Sequence, residues 1–153
     1  MMRLEVERST DLDRGIADRH YLQSVPAGAK LRLWVLDDQG KRIGAMMWGR
    51  PTARSLDRER LLELTRMCMI DETDAYVESR ALSLARKHIR KHLPQIKGLL
   101  AYSSTGEGHK GTVYLADGWF PFGLTDSRKQ GWANRSARSD RDISRKIRWL
   151  RSP

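Results

Sequence analysis

Apolar and polar residues alternate along this chain with two different periods, and these periods predict where its strands and helices lie. Alternation with a period of two predicts a strand, whereas apolar residues spaced three and four apart predict a helix. Pro26, Gly28 and Pro94 separate the segments. The predicted strands are at residues 1–8, 31–38, 41–49, 63–71 and 96–104, and the predicted helices are at residues 12–20 and 77–93.

The stretch from Glu63 to Gly123 is the centre of this predicted arrangement. It gives a strand, a helix and a second strand, followed by a dense turn-and-strand segment, TGEGHKGTVYLADGWFPFG. The chain is therefore predicted to be of the α/β (α+β) class. Ligands of such sheets usually bind outside the carboxyl ends of the strands, so polar side chains that follow the strands are candidate site residues.

The predicted helix at residues 77–93 is amphipathic. Its apolar stripe is expected to face the core, and consists of Val77, Ala81, Leu84, Ala85 and Ile89. The other side carries basic residues, namely Arg80, Arg86, Lys87, Arg90 and Lys91. His88 and His92 are four apart, a spacing compatible with a shared metal ion, but this motif holds no third ligand.

Gly44 and Gly49 interrupt the predicted strand at residues 41–49. A glycine within a strand marks a bulge or a close approach of another backbone or ligand, or it reflects ordinary sheet curvature. The polar connection at residues 50–60 follows directly. Its arginines make it a candidate substrate contact.

Composition and charge indicate one domain with a basic C-terminal segment. The chain of 153 residues is 39% hydrophobic and has a formal net charge of +10, which fits one domain with one core. We expect a catalytic domain at residues 1–126 and a basic segment at residues 127–153, which holds nine Lys or Arg against two Asp. Such a segment suits nucleic acid, because neutralised phosphates release counterions. A solvated tail that only aids solubility is the alternative.

Cysteine usage and hydropathy narrow the class of protein further. The single cysteine, Cys68, excludes an internal disulfide framework, favours a reducing cytosol and is expected to be a small buried thiol. No apolar run approaches the length of a membrane span, and the N-terminus lacks a signal-peptide core. The sequence thus predicts a soluble intracellular protein without membrane contact.

Two positions within the central stretch point to chemistry. Arg66 lies inside an apolar strand, where a charge is costly unless it is paired or faces a polar cleft. It is either the partner of Glu63 or Asp71 in an ion pair, or an arginine that binds an anion or orients a substrate. His109 lies among glycines, which allow tight turns, and imidazole is suited to proton transfer near neutral pH. Its neighbours Tyr102, Glu107, Tyr114 and Trp119 supply an acid, a carboxylate partner and stacking surfaces.

An ordered set of motifs resembles the bacteriophage Mom family of DNA-modification proteins. The set is HYLQSVPAG at residues 20–28, GAMMWGRP at 44–51, ELTR at 63–66, Ser79, and GHKGTVYLADGW at 108–119. The resemblance implies a fold like that of GNAT acetyltransferases, a mixed and mostly antiparallel central sheet flanked by helices. It implies conversion of adenine in DNA to an N6-acetamido (carbamoylmethyl) form that protects phage DNA from restriction.

The resemblance also implies site residues. Its catalytic positions are Tyr21, Arg66, Asp71, His109 and Tyr114, with Tyr114 in a strand after the histidine loop. Ser79 and Arg80 are the positions implied for the cofactor, which is acetyl-CoA or a related acyl or glycyl donor. A redox metal such as iron, held by His20 and His109, is a further option. The sequence departs from ordinary GNAT enzymes where DETDAYVESR replaces the glycine-rich pyrophosphate loop, and from many Mom relatives at Ala101 to Ser104.

Duplex DNA is the partner that this chemistry requires. An enzyme that alters the amine of adenine takes the base out of the stack and holds it between aromatic or apolar groups, here expected to be Tyr21, Tyr114 and Trp119. The residues expected to contact substrate or DNA are Tyr102, Trp119, Arg50, Arg128, Lys129, Trp132, Arg135, Lys146 and Arg148. Trp149 is expected to stack on an exposed base beside them. The expected location is the bacterial host cytoplasm, with the gene on a phage or prophage, and a homodimer is compatible with the sequence.

Two other functions stay open. The protein is alternatively a GNAT-type N-acetyltransferase that uses acetyl-CoA on another amine, which tight binding of acetyl-CoA would favour. It is alternatively a DNA-binding protein without catalysis, which would leave only the four ordinary nucleosides in cellular DNA.

Overall fold

The computed structural model describes residues 2–8, 11–19, 29–70, 76–104, 111–125 and 146–153. These residues form seven strands and three helices. In chain order the elements are β1 (Arg3–Val6), α1 (Asp11–Arg19), β2 (Ala29–Leu36), β3 (Arg42–Gly49), β4 (Leu61–Met69), α2 (Val77–His92), β5 (Gly98–Ser104), α3 (Thr112–Ala116), β6 (Phe120–Leu124) and β7 (Lys146–Arg151).

The strands form one mixed sheet in the order β1-β2-β3-β4-β5-β7-β6. Every neighbouring pair is antiparallel except β4 and β5, which are parallel because α2 connects them as a crossover. The mixed, mostly antiparallel sheet predicted from the sequence is confirmed.

Helices cover both faces of this sheet. On one face, α2 buries Val77, Ala81, Leu82, Ala85 and Ile89 against apolar side chains of β2 to β5 and β7. On the other face, α1 buries Leu12 and Ile16 against Ala45 and Met47 of β3. The helical spacing of each apolar stripe decides which side faces the sheet. We call these the α2 face and the α1 face of the sheet.

The stripe predicted on α2 is correct except at one position. Leu82 is buried, whereas Leu84 is only partly covered. Arg86, predicted on the side away from the apolar stripe, is only 12% exposed, and its guanidinium makes a two-pronged ion pair with the buried carboxylate of Asp117 at 2.8 and 2.7 Å. The pair ties α2 to the turn between α3 and β6.

The segment after the histidine loop differs from its predicted form. Residues 112–116 form helix α3 rather than a strand, so Tyr114 lies on a helix. Gly111 (φ 71°) and Gly118 (φ 77°) adopt the left-handed conformation at its two ends. These glycines confine the helix to five residues, too few for a helical period to be visible in the sequence.

Gly44 marks a close approach of two strands. It pairs with Met69 of β4, and a Cβ added at Gly44 would overlap the side chain of Met69. The pairing of β2 with β3 also shifts register beside Gly44, between Val35 and Leu36. Of the alternatives considered for a glycine within this strand, Gly44 shows a close approach to β4 and lies beside a register shift.

Within the ranges given above, no helix is both long and apolar enough to cross a membrane. Cys68, expected from the sequence to be a small buried thiol, is only partly covered, on the α1 face of the sheet.

Candidate active site between two diverging strands

The two parallel strands diverge at the centre of the sheet. They pair only through Leu61–Glu63 of β4 and Gly98–Leu100 of β5. Beyond this point β4 stays paired with β3 on its outer side as far as Met69, and β5 stays paired with β7 as far as Ser104. The carboxyl-terminal halves of the two strands are thus held from outside and open towards each other, which is where α/β sheets bind ligands.

A bulge in β4 sets the direction of Arg66. Trp48 pairs with Leu64 but the preceding residue Met47 pairs with Arg66, so Thr65 is an extra residue, and its Oγ1 donates to the carbonyl of Met47 at 3.1 Å. Arg66 therefore lies on the same side of the sheet as its partner Met47, the α1 face. Its Nη1 donates to the carbonyl of Thr65 at 2.7 Å.

Glu63 lies at the point of divergence and is 6% exposed. Its neighbours in β4, Leu62 and Leu64, face α2, so Glu63 faces α1, as Arg66 does. Burial raises the pKa of Glu63, while hydrogen bonds from Thr52 and the charges of Arg66 and Lys146 oppose the rise. A carboxylate is thus held away from water within the field of two cations.

Thr52 holds this carboxylate from the loop after β3. Its backbone N–H and its hydroxyl both donate to Oε1 of Glu63, at 3.0 and 3.1 Å. The connection at residues 50–60, predicted as a substrate contact, is therefore fastened to β4 at the point where the strands part.

Tyr102 and Arg148 complete the polar group on the α1 face. They are partners across β5 and β7, and the guanidinium carbon of Arg148 lies 5.6 Å from the centre of the Tyr102 ring. Burial raises the pKa of Tyr102, Arg148 lowers it, and Glu63 raises it further. The α1-face polar group, as we call it, consists of Glu63, Arg66, Tyr102, Lys146 and Arg148.

Aromatic side chains gather on the opposite face. The ring of Tyr114 lies 5.5 Å from that of Trp119 and 5.7 Å from that of Trp149, and Trp119 stacks on Trp48 at 6.5 Å. Trp119 and Trp149 are each 2% exposed, and their indole N–H groups donate to Asp117 Oδ2 and Ser103 Oγ. Both tryptophans, expected from the sequence to stack on a base, are core contacts in this structure.

The sheet thus separates two sets of predicted site residues. Arg66, Tyr102 and Arg148 lie on the α1 face, whereas Tyr114 and Trp119 lie on the α2 face. Both sets flank the β5 strand, which is one wall of the opening.

Gly111 anchors the end of the segment that carries His109. A Cβ at Gly111 would overlap the ring of Trp149, so the backbone lies directly on that buried indole. The last residue before α3, two positions after His109, is therefore fixed against the core.

Other predicted residues are placed as follows. Ser79 and Arg80 lie in the first turn of α2, where Ser79 Oγ donates to the carbonyl of Tyr76 at 3.1 Å. Arg50 is exposed at the end of β3, and Lys146 begins β7. The predicted site residues outside the described ranges are His20, Tyr21, Asp71, Glu107, His109, Arg128, Lys129, Trp132 and Arg135.

Across the described ranges, no three His, Cys, Asp or Glu side chains are grouped so that they could hold a metal ion. The rings of His88 and His92 lie 4.5 Å apart on α2. Burial lowers the pKa of His88, and the nearby His92 and Lys91 lower it further.

Sequence reasoning considered Glu63 only as an ion-pair partner of Arg66 and did not single out Thr52 or Asp117. A signal for Glu63 was present, since it is an acidic residue within an apolar strand, as Arg66 is a basic one. The Thr52 contact had no signal, because it joins residues eleven apart through a loop without periodicity.

This architecture belongs to a known class of fold. It resembles spermidine/spermine N-acetyltransferase SpeG from Vibrio cholerae, with a TM-score of 0.68 and 13% identity over 99% of this chain and 95% of that one. It also resembles AAC(6')-Ib, solved with ribostamycin and coenzyme A, with a TM-score of 0.67 and 9% identity over 99% and 93% of the two chains. The fold is that of the GNAT acetyltransferases.

Within this class, the chain belongs to the Mom protein family, whose model it matches over residues 6–152. A curated relative is the methylcarbamoylase Mom of Escherichia phage Mu, which is 28% identical over 120 residues. The match covers 73% of this chain and 49% of the relative, so the chain spans about half the length of that protein.

Proposed function

We propose that this protein is a DNA-modifying transferase that places a carbamoylmethyl group on the N6 amine of adenine. The observation that carries the proposal is the match to the Mom family along almost the whole chain, with a relative named a methylcarbamoylase. The net charge of +10 supports a polyanionic substrate. Protection of phage DNA from restriction in the bacterial cytoplasm follows from the same proposal.

The opening between β4 and β5 is the proposed reaction site. Arg66 supplies a positive charge on its α1 side, suited to an anionic donor or to a phosphate beside the target base. The stacked pair of Arg148 and Tyr102 offers a cation and a ring edge on the neighbouring strand. His109 and Tyr21 are proposed to act here, with His109 moving a proton.

Duplex DNA with an extruded adenine is the proposed substrate, because the N6 amine is inaccessible to a transferase while the base is stacked. Tyr21 and Tyr114 are the proposed contacts of the extruded base. Lys146 and Arg148 on β7, and Arg50 after β3, are proposed phosphate contacts. The basic residues between positions 128 and 145 are proposed to extend this DNA contact, and a homodimer stays a prediction.

Mass spectrometry of nucleosides from plasmid DNA of expressing cells tests the proposal. A His109→Ala variant should lose the modified deoxyadenosine and keep its DNA affinity, because His109 is proposed to act on the proton and not on phosphate. His92→Ala, a change at an exposed histidine of α2, is the matched control and should modify DNA as the unchanged protein does. Undiminished modification by His109→Ala would refute the role of His109, and DNA with only ordinary nucleosides would refute the function.

An N-acetyltransferase of another amine is the second candidate, favoured by the fold shared with SpeG and AAC(6')-Ib. Calorimetric titration with acetyl-CoA tests it. Micromolar or tighter binding, with acetylation of a small amine, would favour this function.

The fit of coenzyme A is incomplete in this chain. The facing edges of β4 and β5 suit an extended amide-containing arm, because backbone groups at an open strand edge accept a further strand-like partner. The sequence between β4 and α2, Asp-Glu-Thr-Asp-Ala at residues 71–75, has three carboxylates and no glycine, which disfavours a pyrophosphate. We therefore leave the donor open to acetyl-CoA or another acyl or glycyl donor, and assign no step to it.

A further inference from the structure

Glu63 is a buried carboxylate at the point where β4 and β5 diverge. It closes the narrow end of the opening between β4 and β5, opposite Leu100, and its side chain is 6% exposed. Removing an ionised carboxylate from water destabilises the folded state unless other groups compensate for the lost hydration. A buried glutamate at this position therefore requires an explanation.

The hydrogen bonds that compensate Glu63 for its lost hydration reach only one of its two carboxylate oxygens. Both hydrogen bonds from Thr52 end on the same oxygen, Oε1. Thr52 therefore fixes the orientation of the carboxyl plane through one oxygen, and Oε2 is the oxygen through which the group can act on a ligand.

The charges around Glu63 keep it available as a base. Arg66 and Lys146 act on it electrostatically and favour its ionised form, whereas burial favours its protonated form. The balance raises the pKa of Glu63 above the ordinary value of 4.5. A carboxylate with a raised pKa accepts a proton more readily than a surface glutamate. It is still ionised when the pH exceeds its raised pKa.

We propose that Glu63, oriented by Thr52, is the catalytic residue that accepts the proton leaving the exocyclic amine of the substrate base. This proposal rests on the proposed function. The amine nitrogen forms a bond to the carbon of an activated carbamoylmethyl or acyl donor, and the bond from that carbon to the donor's leaving group breaks with its electron pair. The proton lost by the nitrogen goes to Oε2 of Glu63. The leaving group takes up a proton from solvent.

Geometry supports this role of Glu63. Glu63 is part of the sheet, on the α1 face with Arg66 and Tyr102, and so keeps a fixed position relative to the opening. The neutral amine of adenine is poorly nucleophilic, and becomes acidic only as the new bond forms. A fixed base beside that nitrogen is therefore the group that lowers the barrier.

The test uses Glu63→Gln in this protein, with Glu5→Gln as the matched control. Glutamine has almost the same shape and still accepts both hydrogen bonds from Thr52, but does not take up a proton. Glu5 is an exposed glutamate of β1, away from the opening, so its replacement removes one negative charge at the surface. We expect Glu63→Gln to lower the modified deoxyadenosine in plasmid DNA by about 100-fold or more and Glu5→Gln to leave it unchanged.

Two further measurements separate a catalytic from a structural role. Thermal unfolding at pH 7 should show Glu63→Gln at least as stable as the unchanged protein, because the buried charge is gone. The rate of modification in cleared extract should rise with pH through the pKa of Glu63 for the unchanged protein, and this rise should vanish in Glu63→Gln.

Each outcome is decisive. Full modification by Glu63→Gln, or a loss of modification that goes with a lower unfolding temperature, would overturn the role of Glu63 and leave the proposed function intact. DNA without any modified adenine in cells making the unchanged protein would overturn both.

Discussion

Replacement of Asp117 by alanine should destabilise this protein more than any surface change. The carboxylate of Asp117 is 4% exposed and accepts hydrogen bonds from Nε and Nη2 of Arg86 at 2.8 and 2.7 Å. It also accepts from Nε1 of Trp119 at 2.8 Å. One side chain thus connects α2 with the turn before β6 and with the aromatic core.

The magnitude follows from what the substitution leaves behind. The guanidinium of Arg86 is only 12% exposed, and a buried charge that loses its partner costs about 3–5 kcal/mol. This is a large part of the roughly 5–15 kcal/mol that stabilises a domain of ordinary size. The midpoint of thermal unfolding should fall by about 6–20 °C for a chain of this length.

Thermal unfolding followed by circular dichroism measures the effect. Glu5→Ala is the matched control, because it removes an acid from an ion pair with Arg42 whose two side chains are 47% and 51% exposed. Exposed pairs contribute about 0–1 kcal/mol, so the control should unfold within a few degrees of the unchanged protein.

A double-mutant cycle makes the test stricter. Asp117→Asn and Arg86→Met should each destabilise the protein, and the two together should cost less than the sum of the single changes, since neither charge is then left alone. A small loss of stability for Asp117→Ala, similar to that of Glu5→Ala, would show that Asp117 is not an essential partner of the buried Arg86. Strict additivity in the cycle would show the same.

Other predictions concern the site and its support. Gly111→Ala should destabilise the protein by about 2–5 kcal/mol in urea unfolding, because its φ is +71° and the new Cβ meets the ring of Trp149; no change would contradict the packing. Ser103→Ala should cost about 1–3 kcal/mol, since it leaves the buried indole N–H of Trp149 without its acceptor. The pKa of Glu63 is raised in the folded state, so its contribution to the free energy of unfolding should fall as pH rises from the ordinary pKa of 4.5 through the raised pKa. Urea unfolding at a series of pH values should show a smaller decrease of that free energy with pH in Glu63→Gln than in the unchanged protein. Arg148→Ala should weaken DNA binding and reduce the magnitude of its logarithmic salt dependence by about one, as measured by fluorescence anisotropy.

Periodicity was sufficient where a segment is long and has one buried side. The helix predicted at residues 77–93 is observed at Val77–His92, and the predicted strand at residues 96–104 is observed at Gly98–Ser104. In each, the apolar spacing repeats often enough to distinguish a helix from a strand. The five residues of α3 do not complete two turns, and its β-branched and aromatic residues resemble a strand.

The sequence of the last strand, β7, has the alternation of a strand, but its basic composition favoured a different prediction. In β7, Ile147 and Trp149 alternate with Lys146 and Arg148, the pattern of a strand with one buried face. The basic composition of residues 127–153 favoured a DNA-contacting segment instead. The structure inserts β7 between β5 and β6, a pairing that links positions far apart in the chain.

The candidate site was predicted residue by residue but not as an arrangement. Arg66, Tyr102 and Arg148 were each named from the sequence, and the structure brings them to one face of the sheet. That outcome depends on the bulge at Thr65 and on the insertion of β7, both of which arise from strand pairing. A sequence pattern describes one strand at a time, so it cannot give the register between strands.

The mass of the deoxyadenosine in DNA from cells that make this protein decides most directly whether it modifies adenine at the opening between β4 and β5. We expect a deoxyadenosine heavier by one carbamoylmethyl group, and its loss in Arg66→Ala, whose side chain lies on the α1 face of the opening. DNA that contains only the four ordinary nucleosides would disprove the modification, and a modification that Arg66→Ala leaves at full level would disprove the role of the opening.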